Sequence, residues 1–315
     1  MKCMTSPITA LRLFLVSALL TACSAAPTST PPAAPEKNAA IAQQPEVPSA
    51  SFRPETLYAL LVAELAGQRE RYDILLSSYL HQAEKTRDVG IAERATRIAM
   101  YLKADSAALS AATLWDEITE DNVDAKQALA VQLVKAGKHD QAMSVLEDIT
   151  ALGGEGRFEY LAANTKELSL VQQTAILDRF NALLEQHPEH QKLLFAKSII
   201  LQIKGRIPEA LEAATKLHRL QGSTQSLLMK VRLLHQADET SQAMKTLRSA
   251  LKEEPENTQI RLLYAQMLID TKELEEAERQ FSSLVESSPD DNQLRLTLAL
   301  VALENEDHQK ARTHL

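Results

Sequence analysis

Alanine recurs along this chain at a spacing of 34 residues, and that spacing limits what the chain can fold into. Ala108 and Ala142 are 34 apart. Ala210 follows 68 later, then Ala243 after 33, and Ala277 and Ala311 after 34 each. The missing member falls near position 176, with Ala175 beside it. A second set, Ala130, Ala265 and Ala299, lies twelve earlier. A third, four later, is large and apolar: Leu146, Leu247 and Phe281. Gly137 and Gly205 fall five before their alanines, where a turn between two helices is expected. Antiparallel helices approach to about 8–10 Å only where the contact residues are small. A large residue one turn on fills the groove beside them. A fixed period of this length is the mark of a stacked array of helical pairs. Scarce glycine and few aromatics agree with helix rather than sheet.

Pro188-Glu189, Pro255-Glu256 and Pro289-Asp290 mark the ends of repeats. Proline lacks an N–H, so it is expected at the end of one helix or in the first turn of the next. The acid after it favours the positive helix start. With the alanine and large-apolar sets, these turns resemble the tetratricopeptide repeat (TPR) over roughly residues 55 to 315. The resemblance implies an all-α fold, a TPR-type α-solenoid. It is a right-handed superhelix of about seven to eight antiparallel helix pairs, the last incomplete. The repeats are expected at roughly 55–88, 89–122, 123–156, 157–190, 191–223, 224–257, 258–291 and 292–315. The aromatic expected early in the first helix of a repeat is absent, with Arg261 in its place. The segment 150–187 fits the pattern poorly. Ala311 opens a second helix close to Leu315, so the sequence reads as the N-terminal portion of a longer protein.

The N-terminus has a different logic. Lys2 and Arg12 flank the start, and Leu13 to Leu20 form a short apolar core. At about 1.5 Å per residue this run is far too short to span a bilayer core of about 30 Å. Residues 1–22 read as a signal peptide. Leu20-Thr21-Ala22-Cys23 resembles the lipobox of bacterial lipoprotein precursors. That implies lipidation of Cys23 and cleavage before it, and Ser24 after it implies the outer membrane. The alternative is a plain secretory signal with an incidental cysteine. Several acyl chains, at about 0.8 kcal/mol per buried methylene, give stable anchoring. Residues 23–51 hold six of the twelve prolines and read as a disordered tether. Its reach is roughly 30 Å as a coil and about 80 Å if extended. The folded body is expected over 52–315, outside the inner membrane and facing the periplasm.

The remaining composition excludes several functions. The formal net charge of −8 argues against a basic nucleic-acid face. Cys3 and Cys23 are the only cysteines, so the body can form no disulfide, cysteine metal site or thiol nucleophile. His187-Pro188-Glu189-His190 places two histidines close together without a third ligand, and a solvated turn is expected. Gly153-Gly154-Glu155-Gly156 is followed by no Gly-Lys-Ser/Thr, so it reads as an irregular inter-helix connection. Asp116, Glu117, Glu120, Asp121, Glu273, Glu275 and Glu276 read as solvated charge at helix ends and on polar faces. Trp115, the sole tryptophan, is expected in the core. No catalytic set, metal site or cofactor is expected.

Function is therefore expected in the groove lined by the first helix of each pair. By the repeat frame this includes Phe195, Ile199, Arg232, His235, Leu262, Gln266, Ile269, Leu296 and Leu300. The mixture of apolar and polar groups suits an extended peptide or partner helix; the apolar members could instead pack onto the neighbouring repeat. In the first pair, Leu57, Leu60, Leu61, Leu65, Tyr72, Leu75, Leu76 and Tyr79 recur at helical spacing. This stretch resembles the start of a pseudomonad outer-membrane TPR lipoprotein, the adaptor of a periplasmic carboxyl-terminal processing protease. The resemblance implies a non-catalytic adaptor that binds such a protease and its peptidoglycan-hydrolase substrates. A scaffold for outer-membrane, secretion or pilus assembly is the alternative. An enzyme acting on cell-wall polymer is disfavoured by the lack of convergent chemistry.

Overall fold

A computed structural model describes residues 53–314. The signal peptide, Cys23 and the tether lie outside the described residues. Among the described residues sixteen α-helices follow one another. The first six are α1 (Pro54–Gln68), α2 (Tyr72–Thr86), α3 (Val89–Tyr101), α4 (Asp105–Ile118), α5 (Val123–Lys135) and α6 (His139–Ala151). The middle of the array holds α7 (Phe158–Ala163), α8 (Leu170–Gln186), α9 (Gln191–Ile203) and α10 (Ile207–Gln221). Then come α11 (Thr224–Gln236), α12 (Thr240–Glu253), α13 (Thr258–Asp270), α14 (Leu274–Ser287), α15 (Asn292–Glu304) and α16 (His308–His314). They form a solenoid of tetratricopeptide type, each helix but α7 packing mainly on its neighbours in sequence.

Two capping rules set this architecture. Most odd-numbered helices start on a side-chain cap. Asp88, Asn122, His190, Ser223, Asn257 and Asp291 each accept a hydrogen bond from a backbone N–H in the first turn. Each cap satisfies donors that the helix cannot satisfy itself. Odd helices other than α7 end in a Schellman turn. The N–H three residues past the helix returns to a carbonyl inside it, as in Lys138 N to Leu133 O at 2.9 Å and Glu273 N to Leu268 O at 2.8 Å. The residue between takes a positive φ: Glu70, Lys103, Gly137, Gly205, Asp238, Lys272 and Glu306. The chain thus reverses within three residues and enters α2, α4, α6, α10, α12 and α14 with no side-chain cap; at α16 Asp307 accepts the Lys310 N–H at 3.0 Å.

The prolines sit differently from expectation. Pro188, Pro255 and Pro289 lie in the turn between two helices, within neither. The residue that caps the next helix is the second after each proline, not the acid directly following it. The proline closes the preceding helix, and the intervening acid stays exposed.

The alanine lattice is the core. Ala108, Ala142, Ala210, Ala243 and Ala277 are fully buried, and Ala311 is 1% exposed. Ala130, Ala265 and Ala299 are buried, as are Leu146, Leu247 and Phe281. At the missing member, Ala175 is exposed, and Ile176 fills the lattice position fully buried. The exception has a cause. Its partner helix α7 has six residues, and α7 packs mainly against α9. A longer side chain at 176 takes up the space. Phe158 of α7 meets Phe180 of α8 edge-on at 5.9 Å between ring centroids. Trp115 is buried, as expected.

Two further expectations change. In α1 the apolar repeat does not all face the core: Leu57, Leu61 and Leu65 are each about half exposed, while Leu75 and Tyr79 of α2 are buried. Asp116 is not a solvated charge. It is half-buried and pairs with Lys126 Nζ at 3.3 Å, tying α4 to α5.

Candidate functional site: one face of the odd helices

The helical period fixes which residues of an odd helix remain free. In α13, Ile260, Tyr264, Ala265, Met267 and Leu268 are buried. Leu262 and Ile269 are half-buried and Gln266 is exposed. In α9, Phe195 and Ile199 are half-buried. In α11, Arg232 and His235 are exposed. In α15, Leu296 and Leu300 are 50% and 55% exposed. Leu262 and Ile269 also pack against the C-terminal part of the core, and Ile199 against the central part. These half-buried members therefore serve the packing between repeats as well as the surface.

Polar contacts link the ends of successive odd helices. Gln202 Nε2 at the end of α9 donates to Gln236 Oε1 at the end of α11, 2.7 Å away. His235 of α11 lies 3.9 Å from Asp270 Oδ2 of α13. Lys272, just after α13, pairs with Glu304 at the end of α15. A residue that sequence reasoning missed completes the apolar end of this face. Leu303 is 43% exposed and follows Leu296 and Leu300 at helical spacing. That i, i+4, i+7 pattern was the available signal.

Arg261 takes over the work of the absent aromatic. Its guanidinium donates to Gln280 Oε1 of α14 at 2.8 Å and to the Pro255 carbonyl, locking the seventh pair. At the other end of the array, Tyr79 donates to Glu64 Oε1 at 2.6 Å, and Arg94 sits on the same carboxylate at 3.2 Å. Burial, with the Glu64 carboxylate beside it, pushes the Tyr79 phenol up to about 12.

The irregular fourth pair opens a cavity of about 600 Å³. Its walls include Glu155 of the glycine-rich connection, Glu159 of α7, the His187–His190 turn, and Lys192 and Phe195 of α9. The expected solvated turn holds for His187, Pro188 and Glu189 but not for His190. His190 is half-buried, accepts the Leu193 N–H at 3.3 Å and meets Phe158 edge-on at 5.7 Å. Burial pushes its imidazole below the ordinary histidine range. Among the described residues no group of three or more His, Cys, Asp or Glu is placed to hold a metal ion. No described helix is long and apolar enough to cross a membrane.

Residues 234–300 match the tetratricopeptide repeat family model. A TPR repeat-containing protein of Pseudomonas aeruginosa is 38% identical over 252 residues, 79% of this chain. The chain spans 43% of that relative's length. Among solved structures, a tetratricopeptide repeat protein from Parabacteroides merdae has a TM-score of 0.48 at 14% identity, over 72% of this chain and 90% of its own. A TPR protein of Thermus thermophilus gives 0.41 at 21% identity, over 58% of this chain and all of its own. Residues 234–300 carry tetratricopeptide repeats, and the chain is similar over most of its length to part of a pseudomonad TPR protein.

Proposed function

We propose that this protein is a non-catalytic scaffold that grips another polypeptide on the exposed face of its odd helices. The observation that carries this is the free stripe that recurs from one odd helix to the next: Arg232 and His235 of α11 and Gln266 of α13 are exposed, along with half-buried Leu262 and Ile269 of α13. Leu300 of α15 continues it one period after Gln266. Apolar anchors supply affinity, and neighbouring amides and charges fix register.

In the fuller reading, lipid on Cys23 holds the array at the periplasmic side of the outer membrane through the proline-rich tether. The array then concentrates a soluble carboxyl-terminal processing protease beside its peptidoglycan-hydrolase substrates. Confinement on one tether raises effective concentration without any new contact. The lipobox-like Leu20-Thr21-Ala22-Cys23 and the similarity to the pseudomonad protein support this reading.

Capture from detergent-solubilised envelope tests it. Wild-type protein should retain a processing protease, and Leu296→Asp with Leu300→Asp should lose it while keeping the helical signal. Recovery of an insertion or pilus machine instead would favour the assembly scaffold. In fractionation, Cys23→Ser should move the protein from membrane to soluble material. Unchanged membrane association would end the lipid-anchor part.

A further inference from the structure

The cavity at the fourth pair is formed by two connections one repeat apart. Gly153 to Gly156 and His187 to His190 are separated by 34 residues, so the solenoid sets them side by side. The glycines make the first wall rigid. Gly153 takes φ +75°, and a Cβ at Gly154 would come within 2.9 Å of Val123. A Cβ at Gly156 would come within 2.9 Å of Phe158. The loop backbone is therefore pressed onto the core. Gln127 Nε2 pins it further by donating to the Glu155 carbonyl at 3.2 Å. Glu155 is presented from a fixed backbone.

The cavity's charge is lopsided. Glu155, Glu159 and Glu189 face it against one ammonium, Lys192. His190 adds no compensating charge, since its Nδ1 accepts the Leu193 N–H and burial favours its neutral form. One acceptor is unused. Glu159 Oε2 is shielded from solvent and has no hydrogen-bond partner. A buried carboxylate oxygen without a donor is costly. Because Oε2 is shielded, the Glu159 side chain must turn towards the cavity to meet a ligand donor, and that turn relieves the cost. Phe195 supplies a half-buried aromatic surface in the same cavity.

We infer that this cavity is a binding site for an arginine side chain presented by an extended partner segment. The guanidinium is planar, carries five donors and stacks on aromatic faces, so it fits a carboxylate and a phenyl ring together. A lysine ammonium would satisfy the charge but neither the fork geometry nor the stacking. The inference rests on the scaffold reading only for the source of the arginine, because the probe below needs no partner.

The test titrates N-acetyl-arginine methylamide, and its lysine and citrulline counterparts, into the ¹⁵N-labelled full chain. The arginine probe should shift the amides of Gly153, Gly154, Glu155 and Lys192 saturably, and citrulline should not. Glu159→Gln should weaken the arginine response by about tenfold or more, the worth of a charge-assisted hydrogen bond. Glu189→Gln, in an exposed turn, should weaken it roughly twofold and covers the case in which Glu159→Gln fails to fold. Equal shifts with citrulline, an unchanged response in both variants, or equal shifts at carboxylates elsewhere would overturn the inference. Partner capture that succeeds while this titration fails would leave the scaffold reading standing and remove only the arginine site.

Discussion

Arg179 of α8 closes on Glu147 of α6, with Nε 2.8 Å from Oε1. The same guanidinium donates to the Asp140 carbonyl at 3.1 Å and to Ser144 Oγ at 3.0 Å. It thus spans from the third pair to the fourth, where α7 is too short to do so. Both side chains are about a third exposed, so solvent screening leaves a modest contribution. Arg179→Met should lower stability by about 1 kcal/mol in urea melts. It should also speed amide exchange in α8, which that clamp ties to α6. Unchanged α8 exchange would show that the clamp is ornamental.

The lattice position predicts that opposite substitutions at neighbouring repeats both destabilise. Ala210 and Ile176 occupy equivalent sites, and both are fully buried. Ala210→Ile forces extra methylenes between α9 and α10, at a cost of about 1–3 kcal/mol. Ile176→Ala leaves a void beside short α7 and should cost about 2–5 kcal/mol. Denaturation midpoints of the two variants check this. A neutral Ala210→Ile would mean the close approach of helices is not what fixes alanine there.

The Schellman turns carry removable strain. Lys103 is exposed and holds φ +55°, a conformation costly for any residue with a Cβ. Lys103→Gly should stabilise the array by a few tenths to about 1 kcal/mol, after glycine's extra entropy loss is counted. Gly205, at φ +71°, is the converse. Its Cβ would meet nothing within 4 Å, so Gly205→Ala isolates backbone strain and should cost about 1 kcal/mol. Thermal melts of both variants decide whether the turn geometry limits stability.

The fold was legible where one residue type alone can do the job. Only a small side chain permits close helix approach, so alanine repeats and the period shows. The cap positions were not legible, because Asp, Asn, Ser and His all accept a helix-start N–H. Asp88, Asn122, His190, Ser223, Asn257 and Asp291 spell no common letter. The left-handed turn residue was visible only at Gly137 and Gly205. Glu70, Lys103, Asp238, Lys272 and Glu306 adopt it under tertiary constraint. The cavity was missed for a different reason. Its two connections lie far apart in sequence, and each alone is an ordinary turn. Their meeting depends on the repeat period, which stacks residues 34 apart.

His190 and His218 make stability depend on pH. Burial pushes both imidazoles below their ordinary value of 6.5. His218 Nδ1 lies 3.0 Å from Ser226 Oγ, and His190 Nδ1 accepts a backbone N–H that protonation would remove. Above pH 6.5 these histidines are neutral in both folded and unfolded chains and favour neither. As pH falls through 6.5, the unfolded chain takes up protons first, so folding stability declines until the depressed folded values are passed. Lowered carboxylates such as Asp307 and Glu276 act below their ordinary 3.8 and 4.5, outside this window. Urea midpoints should therefore be highest above pH 7 and fall towards pH 5. His190→Asn keeps a helix cap, since asparagine serves that position well, while removing the titrating ring. Its midpoint should drop less between pH 7 and 5 than that of the parent chain. An identical slope would show that the buried imidazole does not couple to folding, and that the edge-on contact with Phe158 tolerates the charged ring.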